Sequence, residues 1–581
     1  MVMLRYIKHL WIVLLGLPLA CCPIDPDNHS FMVDLFFEHG IIYTADQNNT
    51  IVQTLAVRDG IIVFAGSKEE GKPYKALAKE VVDLKGGMLL PGFIDGHFHT
   101  ITTEFFDFVL LTYTDVPSVM QSITRYITEN QSNDIYYGYG FNAGIFEGEE
   151  LLNGPKKERL DQICPDKPVI IYALDGHSMW MNSMGFAYCN ISENTISPPG
   201  GEIVKNDLTG ELWGSIRNSA MSLVPDPQLS PEKRDRIFLQ LQSLLHSLGY
   251  TSIMTIPGNG YAGVSWDGYR QMEQDGLLSL RVRGADIIKP WAFQEDLARL
   301  KELREMYKSD LLKIASAKLF QDGIVVDRSA YLLQPYMQGG QGAPIWAQDD
   351  LNHAYALLNN EGFQIHTHAI GDAAVKMVLD AAQYAKSAID YRNVITHIQL
   401  VDAADLPRFK ELNMIPVLQP YWHFKQPGSW LPIEYTVLGE RAETEWPLKS
   451  FADHGAMLVF SSDYPTTNVP NPFYAIEIGV TRNLPDAAAY GAPADITDMD
   501  DPTYLLNLNE RLDVMSMIKG FTANAAYSIL EDKVTGTLEV GKSADLVVID
   551  QDLFSIDPLK ISDTKVLSTY FKGKPVYHAL H

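Results

Sequence analysis

The feature that most constrains this chain is a repeated alternation through its middle. Short apolar runs at 88–96, 250–256, 279–287, 312–320, 363–368, 393–399, 414–419 and 456–463 are separated by longer segments. Several of the separating segments carry helical periodicity, among them Pro231 to Ser247, Phe293 to Lys308, Leu351 to Glu361 and Ala373 to Ala388. Parallel strands need a crossover between them, and a helix that covers the sheet is the usual one. Eight β-then-α steps therefore predict an α/β fold, a (β/α)₈ TIM-like barrel over residues 88–513. The interval 100–249 is too long for one connection and holds its own strand-like run, Pro168-Val-Ile-Ile-Tyr-Ala-Leu. It predicts an inserted lid subdomain.

Both chain ends read differently. Residues 33–87 show short strands joined by turns, and 514–581 have the same character. Neither end has enough strands to be stable alone, so the two are expected to pair into one small β-sandwich. Residues 1–22 have a basic start (Arg5, Lys8), an apolar run too short for a membrane span, and the sequence Leu-Ala-Cys21-Cys22. That segment resembles a bacterial lipoprotein signal, with a plain cleaved signal as the alternative. The body is expected to be exported, to the periplasm or tethered to a membrane by a lipid anchor at Cys21 or Cys22. Cys164 and Cys189 then remain. They could form a disulfide or be two buried small hydrophobes, and both readings stay open. A net charge of −26 argues against nucleic acid and against anionic lipid surfaces as partners.

Polar residues of particular types stand where the apolar runs end. His97 and His99 share one face of the first run, since residues two apart on a strand point the same way. Two imidazoles so placed can grip a metal such as Zn²⁺. Lys318 closes the fourth run, His368 the fifth, His397 the sixth and Asp463 the eighth. His366 shares a face with His368 but lies further from the strand end, one layer deeper. A lysine ammonium in a barrel mouth is costly unless paired. Converted by CO₂ to a carbamate, Lys318 becomes an anionic ligand able to bridge two cations, which requires a depressed pKa. The rival readings are a surface lysine, a core histidine at 397 and a turn-capping role for Asp463. Candidate substrate contacts are His177, Trp180 and Asn182 in the lid, and Gln419 and His423 after the seventh run. Tyr137, Tyr139 and Phe141 could supply aromatic walls, with Arg482 a weaker candidate.

Seven stretches carry a family resemblance: Pro91-Gly-Phe-Ile-Asp-Gly-His-Phe-His, Asp175-Gly-His-Ser-Met-Trp-Met-Asn-Ser, Ala317-Lys-Leu-Phe-Gln-Asp-Gly, His368-Ala-Ile-Gly-Asp, Thr396-His-Ile-Gln, Ser461-Ser-Asp-Tyr-Pro and Val534-Thr-Gly-Thr-Leu-Glu-Val-Gly-Lys-Ser-Ala-Asp-Leu. With them the chain, from about residue 33 to 581, resembles the amidohydrolase superfamily, in its amidohydrolase-3 branch with the N-substituted formamide deformylases. The resemblance implies two divalent metal ions, Zn²⁺ or else Mn²⁺ or Fe²⁺. His97 and His99 would bind one, His368 and His397 the other, and carbamylated Lys318 would bridge. Asp463 would touch the first metal and serve as general base, then acid, as a metal-bridged hydroxide attacks. The implied activity is hydrolysis of a C–N bond in a small N-substituted amide or formamide, by an enzyme expected to form a homo-oligomer. Two other functions compete. Deamination of a cyclic amidine or amine is disfavoured by Lys318, because single-metal deaminases of the superfamily lack that lysine. A non-catalytic exported binding protein on a hydrolase fold is disfavoured because no metal-binding side chain is missing.

Overall fold

Eight parallel strands form the centre of the molecule: Phe93–Phe98, Tyr250–Thr255, Arg281–Ile287, Leu312–Phe320, Gln364–Ala369, Val394–His397, Ile415–Leu418 and Val459–Phe460. The computed structural model describes residues 32–100, 102–174, 176–225, 227, 229–256 and 264–579. The expected signal segment and Cys21-Cys22 lie outside them. Neighbouring strands follow one another in chain order, as short right-handed crossovers dictate. Backbone bonds from Asp463 N–H to His97 O (2.9 Å) and from His99 N–H to Tyr464 O (2.9 Å) join the last strand's end to the first and close the barrel. Gly96 permits this closure. A Cβ there would sit 2.8 Å from Val459 Cγ1 and 3.1 Å from the Phe460 carbonyl oxygen.

Most of these strands are buried along their whole length, which is why they read as apolar runs rather than as alternating patterns. Helices cover them. Asp372–Tyr384, for example, buries Val375, Val378, Leu379 and Ala382 along one stripe. Pro231–Ser247 begins with proline in its first turn, and the Ser230 side chain accepts from Lys233 N–H.

The chain ends build a β-sandwich. One sheet of four strands comes from the N-terminal segment alone, and a six-stranded sheet combines both ends. The predicted run 88–96 is in fact two strands in two sheets. Met88–Pro91 pairs antiparallel with Leu546–Ile549 and parallel with Ile41–Tyr43, whereas Phe93–Phe98 enters the barrel. Pro91 and Gly92 mark the change, yet an apolar run gives no sign of which sheet receives it. The boundary expected at 514 also moves. Val514–Phe521 and Ala523–Ser528 are helices packed on the barrel, with the Phe521 ring 5.5 Å from that of Phe460.

Within the long insertion, six strands form a separate sheet: Phe108–Val109, Tyr136–Phe141, Val169–Ala173, Ser178–Met181, Gly201–Lys205 and Leu212–Asn218. Cys164 and Cys189 are both free thiols, so the disulfide left open by the sequence does not form. Among the described residues no helix is long and apolar enough to cross a membrane.

Candidate metal centre and substrate pocket

His97 Nε2 and His99 Nε2 lie 3.1 Å and 3.2 Å from Asp463 Oδ1. The first two sit at the end of the first barrel strand and the third just beyond the eighth, so barrel closure is what brings them together. Asp463 and His397 both leave their strands with left-handed backbone, φ 53° and 80°. Non-glycine residues adopt that conformation at a cost, and such positions cluster at functional sites. The His99 Nδ1–H donates to the Ile256 carbonyl at 3.3 Å, which leaves the Nε2 atom beside Asp463 able to ligate a cation. His97 Nδ1 pairs with His366 Nε2 at 2.8 Å. Burial, reinforced by the nearby Lys318 charge, holds the His97 imidazole neutral well below its usual range. Burial pushes the Asp463 carboxyl up, but contact with His99 and the surrounding positive charge outweigh it, and it stays ionised below its ordinary value. Imidazole nitrogens and a carboxylate oxygen aimed at one another suit a divalent cation. The three form a candidate metal site, with their ligand atoms all within 4.8 Å of one another.

Lys318 projects into the same cavity from the fourth strand. Its Nζ is buried without a hydrogen-bond partner, and burial lowers its pKa from 10.5 to about 7. Across the cavity the His368 and His397 rings stand 4.6 Å apart. Both are held neutral chiefly by burial. His397 Nδ1 contacts Gln419 Oε1 at 3.0 Å, and Gln419 Nε2 donates to Ser461 Oγ at 2.7 Å. Partners of this kind fix a ligand ring's orientation. All six predicted site residues therefore line one cavity, part of it open to solvent. Tyr139 and Tyr172 of the inserted sheet wall it opposite the barrel, together with His177.

Four expected substrate contacts lie elsewhere. Gln419 is fully buried behind His397, as just described. His423 is also buried, stacked on Trp446 at 5.3 Å. Trp180 donates from Nε1 to the Lys156 carbonyl at 3.0 Å and packs on Phe141 and Phe146 inside the insertion. Asn182 accepts from Val169 N–H and Gly185 N–H and donates to the carbonyls of Cys164 and Lys167. The inserted strand Ser178–Met181 runs antiparallel to Val169–Ala173, so His177 at its start reaches the cavity and Asn182 past its end does not. Of the aromatic candidates, Tyr139 lines the cavity, Tyr137 donates to the Pro225 carbonyl at 3.2 Å, and Phe141 is core. Arg482 is buried and donates from Nε to the Leu506 carbonyl at 3.1 Å.

Two carboxylates escaped the sequence reading. Asp95, pushed up to about 7 by burial, accepts from His97 N–H (3.2 Å) and Ser462 N–H (3.1 Å), tying the first and eighth strands. Asp322, raised by burial to about 7, accepts from Ile370, Gly371 and Tyr331 N–H behind His368. Each precedes a glycine, Asp95-Gly96 and Asp322-Gly323, a pattern that reads as a turn.

The model of a family described as "Amidohydrolase family" matches residues 80–577. The exoenzymes regulatory protein AepA of Pectobacterium carotovorum subsp. carotovorum is 30% identical over 68% of this chain and 86% of its own length. The N-substituted formamide deformylase of Arthrobacter pascens is 23% identical over 93% of this chain and 98% of its own. An uncharacterized metal-dependent hydrolase from Pyrococcus horikoshii OT3 has a similar fold, with TM-score 0.67 at 22% identity, covering 90% of this chain and 99% of that one.

Proposed function

This chain belongs to the amidohydrolase family as a metal-dependent hydrolase, and from that premise we propose that it cleaves the C–N bond of a small N-substituted amide or formamide. The observation that carries the proposal is the meeting of His97 Nε2, His99 Nε2 and Asp463 Oδ1 at 3.1–3.2 Å beside the buried Lys318 Nζ. His97, His99 and Asp463 would hold one divalent ion, and His368 with His397 a second. An amine near pKa 7 is largely unprotonated at mildly basic pH and can add to CO₂ with release of a proton, and carbamylated Lys318 would supply anionic oxygens to help hold the ions. When bound, such ions polarise a carbonyl and acidify a water molecule.

The chain's own residues account for the proton. Asp463, ionised at neutral pH, takes a proton from the attacking water as the new C–O bond forms. The carbonyl carbon becomes tetrahedral, and Asp463 then gives the proton to nitrogen as the C–N bond breaks. The products are a carboxylic acid and an amine. Tyr139, Tyr172 and His177 cover the cavity from the inserted sheet, which limits access of bulk water to the reacting bond.

The test is a panel of amides and formamides presented to metal-depleted protein, before and after divalent metal and bicarbonate are restored. Hydrolysis of at least one N-substituted member, dependent on restored metal, is expected. Turnover of cyclic amidines with release of ammonia, and of no amide, would overturn the proposal.

A further inference from the structure

Beside the metal centre is a second cavity that the hydrolytic residues leave unused. It is partly open to solvent, and most of its lining is apolar side chain. His177 and Phe320 line both cavities, so the two are immediate neighbours. Its walls come from three parts of the molecule: Ile288 beyond the third barrel strand, Met221 from the insertion, and Ile345 with Trp346 from the segment after the fourth strand. Ile288, Met221 and Trp346 are almost wholly buried.

The polar side chains at its edge are already engaged. Lys289 Nζ pairs with Asp296 at 3.1 Å. Asp322 accepts its three backbone N–H groups. Asn218 Oδ1 meets His177 Nδ1 at 3.0 Å. Ser219 and Ser222 donate to the carbonyls of Pro199 and Ser219. The exception is the Trp346 indole N–H, buried without a partner, which is a neutral donor. A charged ligand group would lose its hydration here without gaining a counter-ion, whereas an apolar group gains by leaving water.

Resting on the hydrolytic reading above, we infer that the substrate is an amide with an uncharged apolar substituent, a chain or a ring, seated in this second cavity. The amide bond then lies among His97, His99 and Asp463. Amides bearing a carboxylate or ammonium on that substituent are poor substrates. His177 and Phe320 stand at the junction, where the polar and apolar parts of the substrate meet.

The experiment uses N-alkylformamides from methyl to butyl, with N-(carboxypropyl)formamide as the charged comparison. Binding is read by tryptophan fluorescence, since Trp291 and Trp346 line the cavity, and turnover as kcat/KM. Binding should strengthen about fourfold per methylene, or roughly sixtyfold from methyl to butyl, and the charged analogue should lose that gain. Ser222 is exposed at the rim, so Ser222→Trp narrows the cavity without disturbing the core, and the butyl-to-methyl ratio should collapse towards one. Ile345→Ala should shift the preference to longer chains. Equal binding along the series would overturn this inference even if every member were hydrolysed, and so would a gradient unchanged in Ser222→Trp. Graded binding with no turnover by metal-loaded protein would overturn the hydrolytic reading and leave the cavity's preference standing.

Discussion

Replacing Lys318 with methionine keeps a buried unbranched side chain and removes the ammonium group. Lys318 is fully buried, and burial takes its pKa from 10.5 to about 7. At 1.36 kcal/mol for each tenfold change, that difference amounts to about 5 kcal/mol. The sign follows from which state binds the proton. Above pH 10.5 the amine is neutral in both folded and unfolded chains, and burying it carries no ionisation cost. As pH falls towards 7 the unfolded chain takes up a proton that the folded chain refuses, and folding is penalised progressively. Below 7 both states are protonated and the penalty is constant at its maximum. Metal-free, CO₂-free Lys318→Met should therefore be more stable than the native chain at pH 7. The gap should narrow by about 2 kcal/mol between pH 7 and pH 9. Urea unfolding of both proteins at the two pH values measures it. Adding metal and bicarbonate should reverse the order, because ligands that bind only the folded native site stabilise it by mass action. A stability difference that does not change with pH would refute the reasoning.

Three further outcomes are expected. Asp463→Asn preserves shape but cannot accept the proton, and turnover should fall at least about a hundredfold with metal content checked in the same sample; a metal-loaded variant at the native rate would remove Asp463 as the base. Gly96→Ala places a Cβ 2.8 Å from Val459 Cγ1 and should cost about 1–3 kcal/mol while weakening metal affinity, whereas unchanged affinity in a metal titration would contradict the link between barrel closure and the site. Export with processing near Cys21-Cys22 should appear as a shortened, lipid-modified N-terminus by mass spectrometry of the envelope fraction, and an intact Met1 would count against it.

The barrel was legible because its strands are buried on both faces and therefore stand out as apolar runs. For the same reason His97, His99, Lys318, His368, His397 and Asp463 stood out: each is a polar residue where such a run stops, and in a parallel barrel all those ends face one way. The logic fails where strand direction alternates. In the mixed inserted sheet, where Ser178–Met181 runs antiparallel to Val169–Ala173, His177 and Asn182 are five residues apart on the sequence, roughly 17 Å along an extended chain, and only one end reaches the mouth. Gln419 and His423 follow a barrel strand, yet Gln419 is taken up by His397 and Ser461, and His423, past the short helical turn Pro420–Trp422, stacks on Trp446 in the interior. The second cavity was not legible at all. Met221, Ile288 and Trp346 are ordinary apolar residues from distant segments, and only their assembly leaves a space between them.

The metal content of the purified chain tests the central claim most directly. Protein prepared with divalent metal and bicarbonate, then freed of loose ions, should carry about two ions per chain by elemental analysis. The His97→Ala/His99→Ala variant should lose about one of them, and the loss should abolish hydrolysis. A native chain that remains folded and binds no metal under those conditions would contradict the account.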